Sequence, residues 1–265
     1  MRGELLDLSS PILRGFLGSL IAGLGTSAGA LPIFFRKGWS KDAQSLMLAG
    51  AGGMMLGATF FSLLQPALEL VEEAGGTRLH ALFTAGGGLL AGAFTLWAVH
   101  AAIPHEHFRK GREGGGEVTL GRHWLFVFAI VLHNLPEGLS VGVAYGVDAA
   151  STGNAVMLGI AAQNLPEGLA VAAALMADRM SRGRAFLIAS LSGLVEPIGG
   201  LLGALAVSLS SALLPWGLAF AAGARRFVVS GEVLPETHLE GAERSSTFAV
   251  IGGFVTMMAL ALLLA

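Results

Sequence analysis

Apolar segments of 19 or more residues recur along the whole chain, and most of the polar stretches between them are short. A helix of about 20 apolar residues crosses the hydrocarbon core of a bilayer, which is about 30 Å thick. The pattern therefore predicts an all-α membrane protein with eight transmembrane helices in a single domain, residues 1–265. The predicted spans are 11–35, 43–70, 79–103, 124–147, 153–177, 185–208, 212–235 and 246–264. The longest separator, 104–123, is predicted to be a loop rich in glycine and charge.

The composition agrees with a surface that faces lipid. Hydrophobic residues make up 54% of the chain and charged residues only 13%, whereas a soluble domain carries about a quarter charged residues. The 39 glycines would allow helices to pack closely in a bilayer. The chain has no cysteine, which excludes disulfides, thiolate zinc sites and thiol catalysis. Any metal site must therefore use histidine, carboxylate and amide ligands.

The positive charges predict an orientation, because cytoplasmic loops are enriched in lysine and arginine. The connections after spans one, three and five carry most of these charges, while the even connections offer only Arg78. The odd connections, including the 104–123 loop, are therefore predicted to be cytoplasmic, and both termini extracytoplasmic. The charges on connections one, three and five are Arg36, Lys37, Lys41, Arg109, Lys110, Arg112, Arg122, Arg179, Arg182 and Arg184, and the last loop has Arg244.

A polar hexapeptide interrupts span four, and a close copy interrupts span five thirty residues later. The first reads His133-Asn134-Leu135-Pro136-Glu137-Gly138 and the second Gln163-Asn164-Leu165-Pro166-Glu167-Gly168. Both begin near the middle of their spans, so two antiparallel helices would carry them to the same depth. The first and fifth residues of each motif lie on one helix face. The prolines are expected to break helices 4 and 5 at the centre and to free the carbonyls of the preceding turn.

Polar and ionisable residues at this depth are costly and usually functional. The two motifs bring together one imidazole, two carboxylates and three amide oxygens, and span six adds Glu196 at mid-depth. This ligand set suits Zn²⁺, Cd²⁺, Fe²⁺, Mn²⁺ or Co²⁺ and does not suit Cu⁺, which prefers sulfur. A single motif could equally be a kinked helix with a buried polar cluster, but two copies at matched depth favour a metal centre. A divalent metal is thus predicted as substrate, with no organic cofactor.

The repeated motif resembles that of the ZIP (Zrt/Irt-like) family of metal transporters, in its bacterial GufA-like branch. Eight spans with both termini outside is also the topology of that family. The similarity continues at Gly25-Thr26, Leu31-Pro32, Gly53-Met54-Met55-Leu56, Pro104-His105-Glu106-His107, Val228-Val229-Ser230 and Pro235-Glu236-Thr237-His238.

The resemblance implies a centre for two metals between spans four, five and six, with Glu167 shared between its sites. It also implies import toward the cytoplasm by sliding of spans one, four, five and six against the rest. One implied site consists of His133, Glu137, Gln163 and Glu167. The other consists of Asn134, Asn164, Glu167 and Glu196.

Two features depart from the family pattern. Asn164 stands where similar proteins often have aspartate, which removes a formal charge from the second site. Arg225 and Arg226 stand in span seven at positions that look apolar in similar proteins. An arginine at the bilayer centre costs about 3 kcal/mol, so partners are required. Either one of them pairs with Glu196 or Glu167 and partly replaces the second metal, or both reach along the helix to water.

A second, weaker site is predicted at the cytoplasmic mouth. Gly231 stands where histidine is common in the family, next to further ligand-type residues on the side of the 104–123 loop. Together these residues could form an exit or sensing site, although each histidine alone would more often be a solvated loop residue. The predicted residues of this site are His105, His107, Glu232, Glu236 and His238.

The function predicted from these observations is import of divalent metal cations by alternating access, with a metal-selective channel as the alternative. An intramembrane enzyme ranks lower, because the chain lacks a His-Glu-x-x-His motif. The predicted partners are metal ions and membrane lipid, without nucleic acid; the oligomeric state stays open, a homodimer being one option. Arginine outnumbers lysine and no eukaryotic targeting signal is evident, which favours a bacterial inner membrane.

Overall fold

The computed structural model describes residues 10–35, 40–102, 105–107, 111–113, 122–146, 150–177, 179–237 and 243–264. Over these residues the chain is helical, apart from one short hairpin. The α-helices are α1 (Pro11–Ala30), α2 (Lys41–Ala58), α3 (Gln65–Glu73), α4 (Arg78–Ala102), α5 (Arg122–Ala144), α6 (Ala150–Ala177), α7 (Arg182–Gly193), α8 (Glu196–Leu209), α9 (Leu214–Val228), α10 (Leu234–Thr237) and α11 (Glu243–Leu264).

Shorter helical segments join several of these helices into longer ones. One 3₁₀ turn, Leu31–Phe34, continues α1, and another, Ser211–Leu213, precedes α9. A π-helical segment, Thr59–Leu64, links α2 to α3, and a second one, Val229–Val233, links α9 to α10. All eight predicted spans therefore coincide with helical segments.

Six of these segments are long and apolar enough to cross a membrane. The two predicted spans outside this set are α5 and the α9–α10 segment, which carry the His133 motif and Arg225 with Glu232. Eight crossings with both termini outside stay a prediction. The six candidate crossings are Pro11–Phe34, Asp42–Glu73, Arg78–Ala102, Thr152–Met176, Arg182–Leu209 and Arg244–Leu263.

The expectation that proline breaks helices 4 and 5 is wrong. Pro136 lies inside α5 and Pro166 inside α6, and both helices continue past the proline. Each proline removes one backbone donor, which leaves the other hydrogen bonds of a long helix in place. The interruption lies in span six instead, where α7 ends at Gly193 and α8 begins at Glu196.

The all-α prediction also has one small exception in the 104–123 segment. Strand β1 (His105–His107) pairs antiparallel with β2 (Gly111–Glu113), with His105 opposite Glu113 and His107 opposite Gly111. The glycine and charge content that indicated a loop is equally compatible with a short hairpin.

Large apolar side chains are exposed on the outer helices. On α4, Phe83 and Leu90 are about two-thirds exposed, and on α11, Phe248 and Leu263 are more exposed still. A soluble monomer rarely leaves such large apolar surface in contact with water. These faces are suited to lipid, in agreement with the apolar composition.

The glycine that ends each motif brings a neighbouring helix close. A Cβ on Gly138 would lie 1.9 Å from the carbonyl oxygen of Glu196, and one on Gly168 would lie 2.1 Å from that of Thr26. Neither position can therefore hold a side chain without moving the backbone. The motif glycines place the start of α8 against α5 and place α1 against α6, with the polar residues between these helices.

Candidate metal centre

Helices α5, α6 and α8 enclose a cluster of polar side chains. His133 is partly buried, and the other six predicted ligands are each no more than 5% exposed. Glu137 and Glu196 are both hydrogen-bonded to residues of α6, the helix on which Glu167 lies. The six buried residues of this cluster are Asn134, Glu137, Gln163, Asn164, Glu167 and Glu196.

The first and fifth positions of the two motifs meet across the α5–α6 interface. The Nε2 of Gln163 donates a hydrogen bond of 2.5 Å to Oε1 of Glu137. Helical spacing predicted that these residues would share a face of their own helices, and the structure shows that the two faces oppose each other. This contact places both motifs at one level.

Asn164 connects α6 to two further helices. Its Nδ2 donates to the backbone carbonyl oxygen of Ala22 on α1 at 2.8 Å and to Oε1 of Glu196 on α8 at 2.7 Å. Glu196 is the first residue of α8, directly after the interruption in span six. The broken helix therefore presents its carboxylate to the cluster.

Arg225 reaches the same cluster from α9. Its side chain is 2% exposed, and its NH2 atom donates to Oε1 of Gln163 at 2.6 Å and lies 3.8 Å from Oε1 of Glu137. The predicted pairing with Glu196 or Glu167 is therefore wrong in its partner, and the snorkelling alternative is wrong for Arg225. Arg226 is exposed. Consecutive helical residues point about 100° apart, so only one of the two arginines can face the centre.

Glu232 was predicted at the cytoplasmic mouth, but it belongs to the buried cluster. It lies in the π-helical segment Val229–Val233 and is 3% exposed. Its Oε2 is 2.5 Å from Nε2 of His133, and its Oε1 is 2.8 Å from Nδ1 of His100 on α4. His100 was assigned no role from the sequence. It is one of only two ionisable residues in the predicted span 79–103, and this was the signal that could have found it.

The other predicted mouth residues stay untested. His105 and His107 lie on β1 and Glu236 on α10, but their side chains are outside the described part of the structure. His238 lies outside the described residues altogether. The mouth site therefore stays a prediction, and Glu232 is no longer one of its residues.

Several buried polar atoms of the cluster have no hydrogen-bond partner among the described residues. Buried oxygens are normally paired with protein groups, water or ions, so a group of unpaired ones in one place is a candidate ligand site. No set of three or more His, Asp or Glu residues within the described ranges forms a metal site by itself. The amide oxygens are therefore needed to complete one. The unpaired oxygens are Asn134 Oδ1, Glu137 Oε2, Asn164 Oδ1, Glu167 Oε2 and Glu196 Oε2.

The contact between His100 and Glu232 should be measurable as a coupling energy. Replacing His100 with leucine and Glu232 with glutamine, singly and together, should give a non-additive loss in the free energy of unfolding. We expect a coupling of about 1.5–3 kcal/mol, the range for buried polar contacts that involve a charged group. His80, exposed at the other end of α4, is the matched control. Its replacement with leucine should be additive with Glu232→Gln, and equal coupling for both histidines would contradict the contact.

Comparison with known proteins identifies the chain. The profile of the ZIP Zinc transporter family matches residues 104–261, a range that includes the polar residues of α5, α6, α8 and α9. The chain belongs to the ZIP family. It is 46% identical to the zinc transporter GufA of Myxococcus xanthus over 93% of this chain and 97% of that protein.

More distant ZIP proteins also match over more than nine-tenths of the chain. The zinc transporter ZIPB of Bordetella bronchiseptica is 41% identical over 91% of this chain and 78% of its own length. The zinc transporter ZIP11 of Xenopus tropicalis is 32% identical over 97% of this chain and 98% of its own. These relatives are membrane transporters and not enzymes, so the resemblance inferred from the motifs is confirmed.

Proposed function

We propose that this ZIP-family protein imports divalent metal cations into the cytoplasm, with Zn²⁺ as the first substrate to test. Cd²⁺, Fe²⁺, Mn²⁺ and Co²⁺ are further candidates. The observation that carries the proposal is the group of five buried oxygens, on α5, α6 and α8, that lack partners among the described residues. Carboxylate and amide oxygens next to an imidazole are ligands for all these ions. The relatives are zinc transporters by name.

Alternating access is the mechanism that we propose. The ion would bind in the buried cluster and be reached from one side of the membrane at a time. Of the seven predicted ligands, three are amides, His133 is an imidazole, and Glu137, Glu167 and Glu196 are carboxylates. A site with few full charges holds a dication less tightly and can release it. Interruptions such as the one between α7 and α8 are frequent at transporter binding sites.

The membrane topology and the cellular location of the protein are also part of the proposal. We infer a single domain with eight crossings, both termini outside and the 104–123 segment in the cytoplasm, as the positive charges favour. The cytoplasmic membrane of a bacterium is the proposed location, and bacterial proteins are among the most similar relatives.

Uptake into vesicles that contain the purified protein tests this function. Rates for Zn²⁺, Cd²⁺, Fe²⁺, Mn²⁺ and Co²⁺ should each saturate with concentration, and vesicles without protein should show only slow leakage. Saturation is expected because the cluster holds few ions per transport cycle. The rate therefore reaches a maximum once every protein molecule has its site occupied. Currents through single open pores would favour a channel instead, and no uptake of any of the five ions would reject the proposal.

A further inference from the structure

Arg225 places a fixed positive charge among the carboxylates of the proposed centre. It comes from α9, whereas the ligands come from α5, α6 and α8. Its NH2 atom contacts Gln163 and lies near Glu137, as described above, and its Nε and NH1 atoms are buried without a partner among the described residues. A buried guanidinium is stable only next to negative charge. The cluster is the nearest source of it.

The ligands divide into two groups by their contacts. In the engaged group, His133, Glu137 and Gln163, the protein itself satisfies the ligand atoms. His133 Nε2 contacts Glu232, Gln163 contacts Glu137 and Arg225 through both amide atoms, and Glu137 Oε1 accepts from Gln163.

In the oxygen group, each residue keeps one buried oxygen that has no hydrogen-bond partner among the described residues. The group consists of Asn134, Asn164, Glu167 and Glu196. Glu137 Oε2 is also without a described partner, so Glu137 could contribute to either group. The oxygen group is therefore the part of the cluster that still requires a cation.

Charge balance also favours a single dication in the cluster. Glu137, Glu167 and Glu196 carry three negative charges when they are ionised, and Glu232 is counted apart from them because its two oxygens face His133 and His100. Arg225 and one dication neutralise them, whereas Arg225 and two dications would leave two positive charges uncompensated in a buried site. Uncompensated charge costs several kcal/mol in a low-dielectric interior, so the second dication is disfavoured.

We propose that Arg225 is a tethered cation that takes the place of one metal ion, so that the centre holds a single dication on the oxygen group. This inference rests on the proposed function, because it assumes that the cluster binds the transported metal. The ion would be held by carboxylate and amide oxygens only, while His133 stays paired with Glu232. Removing the guanidinium would open the engaged group to a second ion, with His133 as one of its ligands.

The test is the number of ions bound to the purified full-length protein, measured with Cd²⁺ and Zn²⁺ by elemental analysis after equilibrium dialysis. We expect one ion per chain for the wild type and two for Arg225→Met. Arg226→Met is the matched control, because it removes the same charge from the adjacent, exposed position, and it should bind one ion. Arg225→Lys keeps the charge and should also bind one.

The location of the ion is tested by Glu196→Gln. In the wild-type background this change should abolish binding, and in the Arg225→Met background it should reduce two ions to one. X-ray absorption of bound Zn²⁺ should show oxygen ligands only in the wild type, and an additional imidazole in Arg225→Met. This spectrum needs only the wild type, so the inference stays testable if Arg225→Met does not fold.

The results separate this inference from the proposed function. Two ions in the wild type, or an imidazole ligand in its spectrum, would overturn the role of Arg225 while uptake of metal stays intact. A single ion in both the wild type and a folded Arg225→Met would overturn it as well. If the wild type binds no ion and vesicles take up none, the proposed function itself fails.

Discussion

Replacing Glu167 with glutamine should reduce saturable metal uptake about 100-fold or more. Glu167 lies on α6, and its Oε2 is buried without a hydrogen-bond partner among the described residues. Glutamine keeps the shape of the side chain but replaces a charged oxygen ligand with an amide. Removing one partner of a buried charged contact costs about 3 kcal/mol, which corresponds to roughly a 100-fold loss. The measurement is the initial rate of Zn²⁺ and Cd²⁺ uptake into vesicles.

Glu73→Gln is the matched control for this variant. Glu73 is exposed at the end of α3, so the same change in charge occurs far from the cluster. Its effect on uptake should stay within about a factor of two, because exposed charges are screened over about 8 Å at physiological ionic strength. Both variants should migrate as folded protein in size-exclusion chromatography. Wild-type uptake by a folded Glu167→Gln variant would show that the ion does not pass through this cluster.

The positions of the helices, and the fact that the two motifs face each other, could be predicted from the sequence. Long apolar segments indicate contact with lipid or with the protein core. Every predicted span coincides with a helical segment. The pair His133 and Glu137 and the pair Gln163 and Glu167 follow from the helical repeat, which needs no tertiary information. The same repeat and the matched depth were enough to predict that the two helices would bring their polar faces together.

The place of the helix interruption could not be predicted in the same way. Proline marks a lost donor, but whether the helix continues depends on what packs against it. Pro136 and Pro166 lie in continuous helices, whereas span six is interrupted before Glu196, where the α8 backbone approaches Gly138. This contact joins residues that are 58 positions apart in the sequence. A local sequence pattern cannot predict such a contact.

The partners of the ionisable residues on α4 and α9 were missed for a related reason. The rotation of each helix toward the centre is set by packing against its neighbours, so the sequence showed that Arg225 needed a partner without showing which one. Glu232 was assigned to the mouth because it stands next to Gly231 and the predicted orientation puts that end of span seven on the side of the 104–123 loop. It follows Arg225 by seven residues, about two helical turns, and this spacing on one face was the signal that would have linked both to the same cluster.

Replacing Asn164 with aspartate should make the stability of the protein depend strongly on metal. The amide of Asn164 donates to two acceptors, the carbonyl of Ala22 and the carboxylate of Glu196. An ionised aspartate donates to neither and places a second carboxylate next to Glu196. With a chelator present, we expect a loss of about 3 kcal/mol in the free energy of unfolding, because a buried charge is left uncompensated. For a chain of this size the midpoint of thermal unfolding should fall by roughly 6–12 °C.

Added Cd²⁺ should reverse this loss, because a dication between Asp at position 164 and Glu196 replaces the two lost hydrogen bonds with direct coordination. The rise in unfolding temperature on adding Cd²⁺ should therefore be larger for Asn164→Asp than for the wild type. Asn134→Asp is the matched comparison: Asn134 is equally buried, but neither of its amide atoms donates to or accepts from a described residue. It introduces the same charge without losing those hydrogen bonds, so its loss in chelator should be smaller. Equal unfolding temperatures in chelator for Asn164→Asp and the wild type would mean that the amide of Asn164 does not face the two acceptors on which the proposed geometry of the oxygen group depends.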